Sequence, residues 1–118
     1  MDSFDEDGEL LDFNTIGSLK ELGGDDSFFQ EIINLYAEQY PELLERIKSS
    51  HSAGDLENLS KSAHALKGAS LNIGAKKLAE VCLAIEKNSA EGIKEGYDDL
   101  ILRVEVLYEV SLEELKKL

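Results

Sequence analysis

A histidine and a lysine lie one turn apart in the stretch KSAHALKGASLNIGAKK, residues 61–77. On a helical wheel at about 100° per residue, His64 lies on the side away from the apolar sector, so its ring is predicted to face solvent. An exposed imidazole, which titrates at about pH 6.5, is mostly neutral and nucleophilic at neutral pH. Lys67 can neutralise the oxygens of an anionic group that arrives on that ring. The pair therefore predicts a nucleophilic acceptor for an anionic group.

Gly68 stands beside this pair, although glycine inside a helix costs about 1 kcal/mol relative to alanine. On the solvent face, a residue without a side chain leaves room for a large partner. Lys61 and Leu71 share that face and offer a second cation and an apolar contact. An ordinary surface histidine beside an accidental glycine is the plainer interpretation. The clustering favours transfer of an anionic group between proteins.

The other reactive side chains are predicted to be structural. His51 lies at a helix end, where a histidine can stabilise the helix dipole, and Cys82 lies on an apolar stripe as a small core residue. The absence of an H-E-x-x-H motif or a similar ligand cluster argues against a metal site. The absence of a P-loop or a G-x-G-x-x-G motif argues against ATP binding. The tyrosines on apolar stripes, predicted to lie in the core, are Tyr36, Tyr40, Tyr97 and Tyr108.

Composition limits the class of protein. The 118 residues suffice for one domain, and no apolar run is long enough for a transmembrane helix. The net charge of −13 predicts repulsion from nucleic acid and from anionic membranes. A single cysteine, with no hydrophobic leader at the N-terminus, fits a reducing cytoplasm. Residues 58–79 contain lysines but no acid, which predicts a local basic patch.

Periodicity predicts an all-α protein. Apolar residues recur at helical spacing in five segments, and the short connections between the longer ones imply an antiparallel up-down four-helix bundle. Residues 1–11 are expected to be a disordered acidic tail, and 12–118 the domain. Pro41 is expected to kink one long helix rather than divide it. The predicted helices are a short N-terminal one in 12–24, then 25–50, 55–73, 76–89, and a last one from about Ile93.

The stretch AHALKGASLNIGAKKLAEVCLAIE, residues 63–86, resembles the signature of histidine-containing phosphotransfer (HPt) domains. That signature is A-H-x-L-K-G and a small residue, then G-A-x-x-L and a final L/I-E. The upstream segments ELGGDDSFFQEIINLYAEQYPELLERI and AGDLENL are also similar to the family. The resemblance covers most of residues 12–112.

The resemblance implies that His64 takes a phosphoryl group from the aspartyl phosphate of one receiver domain and passes it to an aspartate of another. The expected partners are response-regulator receiver domains, which could include that of a hybrid histidine kinase. Lys67 would assist electrostatically and Gly68 would give the partner clearance. Lys61 and Leu71 would contribute to docking. Glu86 could help to orient the imidazole, or it could be a plain surface acid.

Several expectations accompany this assignment. The chain would be a monomeric phosphocarrier without kinase activity of its own or a cofactor, and Mg²⁺ would be held by the receiver. A methionine start favours a free-standing protein. Two alternatives remain at this point: a helical adaptor that binds receiver-like partners without chemistry, and the phosphoacceptor module of a chemotaxis-type kinase.

Overall fold

The computed structural model describes residues 9–24 and 26–118, and within these ranges it is helical without strands, as predicted. Each helix joins the next through a short connection. None of the helices in these ranges combines the length and the apolar character needed to cross a bilayer. The helices are α1 Phe13–Gly23, α2 Asp26–Ala53, α3 Leu56–Asn72, α4 Lys76–Ala90 and α5 Tyr97–Lys116.

The four longer helices form the predicted up-down bundle. Each packs against the next along the chain, and α5 returns to α2 and closes the bundle. Tyr40 of α2 stacks on Tyr108 of α5, while His51, further along α2, meets Tyr97, earlier in α5. The two helices therefore run antiparallel. Because α3 and α5 each pack against both α2 and α4, they are diagonal neighbours across the bundle.

Helix α2 runs unbroken through Pro41. Tyr40 and Ile47, which lie on either side of the proline, are both buried. The apolar stripe thus keeps its phase, and the prediction of a single helix here is confirmed.

The core contains a buried pair of hydroxyls that joins two helices, and a buried thiol. The hydroxyls of Tyr36 and Ser70 lie 2.8 Å apart and join α2 to α3. Cys82 is fully buried, as predicted, and burial raises the pKa of its thiol to about 12. A thiol with this pKa is inert at neutral pH, so Cys82 serves packing.

The packed domain begins earlier than the sequence suggested. Residues 1–8 of the expected tail lie outside the described residues, but Leu11 is buried and Leu10 packs against the core. The amide of Asp12 donates to the carbonyl of Gly74 at 2.8 Å. A Cβ on Gly74, whose φ is +84°, would meet Ile16 Cγ1 at 2.9 Å. The N-terminal segment is therefore seated on the connection between α3 and α4, and the boundary at residue 12 is wrong.

The last helix begins at Tyr97, four residues later than predicted. Gly92 and Gly96 have φ values of +85° and +96°, a conformation that interrupts a right-handed helix and that glycine adopts readily. Ile93 lies between them, exposed rather than in the core. Its amide donates to the carbonyl of Asn88 at the end of α4.

Candidate functional site

Helix α3 presents His64 to solvent. The side chain of Asp55 accepts a hydrogen bond from the amide of Asn58 and caps the start of the helix. Leu59 and Leu66 are fully buried against the other helices, which fixes the rotation of α3 about its axis. The His64 side chain, 66% exposed, points away from the core, on the face where the helical wheel placed it.

A carboxylate from the neighbouring helix joins His64 to Lys67. Glu86 Oε2 lies 2.8 Å from His64 Nδ1, and Glu86 Oε1 lies 2.8 Å from Lys67 Nζ. Glu86 and Lys67 are each only about one-fifth exposed. Glu86 follows Ile85, which is fully buried, and the Ser60 hydroxyl of α3 donates to its backbone carbonyl. Contacts between α3 and α4 thus hold the carboxylate beside the ring.

This arrangement selects one ring nitrogen of His64. The hydrogen bond from Lys67, and a weaker contribution from His64, lower the pKa of Glu86 although burial opposes the shift. Glu86 is therefore ionised at neutral pH, and an ionised carboxylate can only accept hydrogen bonds. Nδ1 must then carry the hydrogen that donates to Oε2. In the neutral ring, the lone pair lies on Nε2.

The predicted basic patch is largely neutralised by acids from the same and adjacent helices. The acid-free stretch of sequence is real, but one turn of helix or a neighbouring helix supplies a carboxylate that the stretch lacks. Three of the four lysines in the stretch are therefore paired with carboxylates, so the basic patch is weaker than the sequence predicts. The paired lysines are Lys61 with Glu57 at 3.3 Å, Lys67 with Glu86 at 2.8 Å, and Lys77 with Glu80 at 3.5 Å.

Gly68 borders open space. A Cβ built on it meets no atom within 4 Å, so packing within the chain does not require glycine here. Leu71, one turn further along, is half exposed. Lys61 lies one turn before His64 and is exposed, at the edge of a groove between α2 and α3. The structure thus leaves Lys61 and Leu71 on the same helix as His64 but outside its hydrogen-bonded cluster.

His51 occupies a different environment in the last turn of α2. Its ring packs edge-on against Tyr97, with centroids 5.6 Å apart, and its Nδ1 lies 3.8 Å from Asp98 Oδ1. These contacts join the end of α2 to the start of α5. Among residues 9–24 and 26–118, neither histidine belongs to a group of three or more side chains that could hold a metal ion.

The double role of Glu86 is the feature that sequence reasoning missed. The sequence left open whether Glu86 orients the ring or is a plain surface acid, and its contact with Lys67 was not predicted. The signal that could have indicated it is the final L/I-E of the signature, which places an acid directly after a core residue.

The family assignment follows from a sequence comparison. The family model described as "Hpt domain" matches residues 31–116, which is most of the chain. The chain therefore belongs to the Hpt domain family.

Individual relatives agree with this assignment. The chain is 30% identical over 97 residues to multistep phosphorelay regulator 1 of Schizosaccharomyces pombe, a match that covers 80% of this chain. It spans only about a third (33%) of the length of that relative.

Two solved structures share the fold. Histidine-containing phosphotransfer protein B (HptB) from Pseudomonas aeruginosa PAO1 superimposes with a TM-score of 0.85 and 26% identity, covering 93% of this chain and 94% of the other. Histidine-containing phosphotransfer protein MtHPt2 from Medicago truncatula gives a TM-score of 0.78 at 19% identity, covering 98% and 84%. The second likeness concerns the fold alone.

Proposed function

We propose that this chain carries a phosphoryl group on Nε2 of His64, received from the phosphoaspartate of one receiver domain and passed to the aspartate of another. One observation carries the choice of atom. Nδ1 is hydrogen-bonded to Glu86, so the lone pair of the neutral ring lies on Nε2. The His64 side chain that carries it is 66% exposed.

The transfer requires no cofactor on this chain. The Nε2 lone pair attacks phosphorus, the N–P bond forms, and the bond from phosphorus to the aspartate oxygen breaks. The receiver carboxylate leaves with the electron pair of that bond. The ring becomes a phosphoimidazolium, whose Nδ1–H still donates to Glu86 and whose positive charge the carboxylate stabilises. The reverse sequence delivers the group to the second receiver.

Lys67 and Gly68 serve the approach of the partner. The ammonium group of Lys67 lies 2.8 Å from Glu86, the carboxylate that binds the ring, and would neutralise the charge of the phosphoryl oxygens. The open space at Gly68 lets the rim of the receiver come close enough for the reacting atoms to reach about 3–3.5 Å. Lys61 and Leu71 would lie at the edge of the docking surface.

The proposed setting is a cytoplasmic phosphorelay in which a monomeric chain meets receiver domains one at a time. Mg²⁺ would be bound by the acidic site of the receiver. ATP would be used only by an upstream kinase, so the pure chain should not label itself from ATP.

The direct test is incubation of the chain with a receiver domain labelled on its aspartate. We expect one phosphoryl group per chain, acid-labile and alkali-stable, with a ³¹P NMR signal typical of an Nε2 phosphohistidine. A complex that forms without transfer from any candidate receiver would favour the adaptor alternative. Transfer only from a kinase domain, and never from a receiver, would favour the chemotaxis-type module.

A further inference from the structure

Helix α5 carries an apolar ridge on its outer surface. Leu102, Val106 and Val110 are spaced four residues apart and are 58%, 49% and 41% exposed. Residues at this spacing lie along one side of a helix. Val104 and Tyr108 are buried on the other side, so the ridge points away from the core and packing within the chain does not account for it.

The neighbouring helices carry isolated exposed apolar side chains rather than a row of them: Leu35 of α2 and Leu83 of α4 are 54% and 41% exposed, and charged residues lie on the same faces. The outward surface of α2 carries Glu38 and Glu45, and that of α4 carries Glu80 and Lys87, all exposed. This contrast is notable in a chain with a net charge of −13. Exposed aliphatic side chains aligned along one side of a helix indicate an interaction surface more often than isolated ones do.

Charge along the ridge indicates what kind of partner fits. Glu109 and Glu113 flank Val106 and Val110 and are exposed. In the described part of the chain, neither carboxylate takes part in an ion pair, whereas Asp99 is paired with Arg103. Two uncompensated acids beside an apolar stripe complement a surface in which lysine or arginine flanks apolar residues.

We propose that the α5 ridge docks a basic amphipathic helix of another protein. An apolar stripe on that helix would cover Leu102, Val106 and Val110, and its cations would meet Glu109 and Glu113. Because α3 and α5 are diagonal in the bundle, this surface is separate from His64. The chain can then hold this partner while a receiver occupies the phosphotransfer site.

The test uses the whole chain and two synthetic peptides of about three heptads. Both peptides carry a leucine stripe; lysine flanks it in one and glutamate in the other. We expect the lysine peptide to shift amide NMR signals of α5 in a saturable way and the glutamate peptide to leave them unchanged. Shifts centred on α3, or spread over all helices, would overturn the proposal.

Val106→Asp separates apolar docking from simple charge attraction. The variant makes the chain more acidic, so a purely electrostatic association would tighten, whereas docking on the ridge should weaken at least tenfold. Leu22→Asp, at a 78% exposed position on α1, adds the same charge elsewhere and should leave the affinity unchanged.

Two further measurements complete the test. Phosphotransfer through His64 should be unaffected by Val106→Asp. In sedimentation experiments, the wild-type chain should remain monomeric at the concentrations used for NMR. If the wild-type chain dimerises and Val106→Asp abolishes the dimer, a second copy covers the ridge and the proposal is wrong.

Discussion

The two histidines of this chain differ in how far their rings are exposed and in what surrounds them. His64 is 66% exposed and has a carboxylate 2.8 Å from its Nδ1. His51 is 29% exposed, packs on Tyr97, and lies 3.8 Å from an acid. Each has an acid on Nδ1, so an acid alone does not define an acceptor. The acid at His64 also contacts Lys67, and that ring faces open space.

A phosphoacceptor thus needs three conditions together: a free nitrogen, a nearby cation and room for a protein partner. The ring of His51 packs against Tyr97. Lys48, one turn earlier, forms an ion pair with Glu105, with Nζ 2.8 Å from Oε2. At His64, the cation is shared with the carboxylate that orients the ring. The following changes remove these conditions one at a time, from the largest expected effect to the smallest.

Replacing each histidine in turn tests the comparison most directly. His64→Gln should reduce labelling by a phosphorylated receiver to background, because no acceptor nitrogen remains. His51→Gln should retain labelling and lose some stability, since its contacts join α2 to α5. Labelling is measured with radioactive receiver, and folding by circular dichroism. Label that persists in the first variant would show that another residue accepts the group.

Removing the cation should have the next largest effect. Lys67→Ala should slow transfer by about 10²-fold, because a positioned charge contributes about 3 kcal/mol to transition-state stabilisation. Receiver affinity should change little. Lys67→Arg, which keeps the charge, should recover part of the rate. Single-turnover transfer measured alongside binding separates the two effects, and a variant that only binds more weakly would assign Lys67 to docking.

Filling the open space at Gly68 should affect transfer without affecting the fold. Gly68→Ala should stabilise the chain by up to about 1 kcal/mol and change transfer little. Gly68→Gln should fold normally, since nothing lies within 4 Å of a Cβ there, yet transfer about 10²-fold more slowly, because a displacement of about 1 Å can cost that much. Melting temperatures and transfer rates are measured on the same samples. Wild-type transfer by Gly68→Gln would show that the glycine does not serve the partner.

Glu86→Gln should have the smallest and the most pH-dependent effect. The amide oxygen can still accept from Nδ1–H, so transfer should fall by about tenfold or less. At pH 7 the variant should be about 1 kcal/mol less stable, because it loses the ion pair with Lys67.

The sign of this pH dependence follows from the lowered pKa of Glu86. A lowered pKa in the folded state contributes stability above the ordinary value of 4.5, and that stability is lost as the pH falls through the folded pKa. Urea unfolding of both proteins between pH 3 and pH 7 measures the difference, which should shrink below pH 4.5. A difference that is constant over this range would mean that the ionised carboxylate contributes nothing.

The sequence by itself determined what depends on neighbours three and four residues apart. The apolar period predicted every helix of the bundle, the continuity of α2 through Pro41, and the outward orientation of His64, because one helical turn relates all of these positions. It placed the domain boundary and the start of α5 incorrectly. The boundary was misplaced because Leu11 is buried through contacts with residues distant in the sequence. The start of α5 was misplaced because two glycines with positive φ interrupt the helix before Tyr97.

Only the tertiary structure decided which side chains meet across helices. The contact of Glu86 with both His64 and Lys67 depends on the register of α4 against α3, and the same packing gives Lys67 a carboxylate partner from another helix. The outward direction of Val106 likewise depends on which face of α5 the bundle buries. Periodicity is local, whereas register between helices is set by how whole faces interlock, so the chemistry of the site is decided at the level of packing.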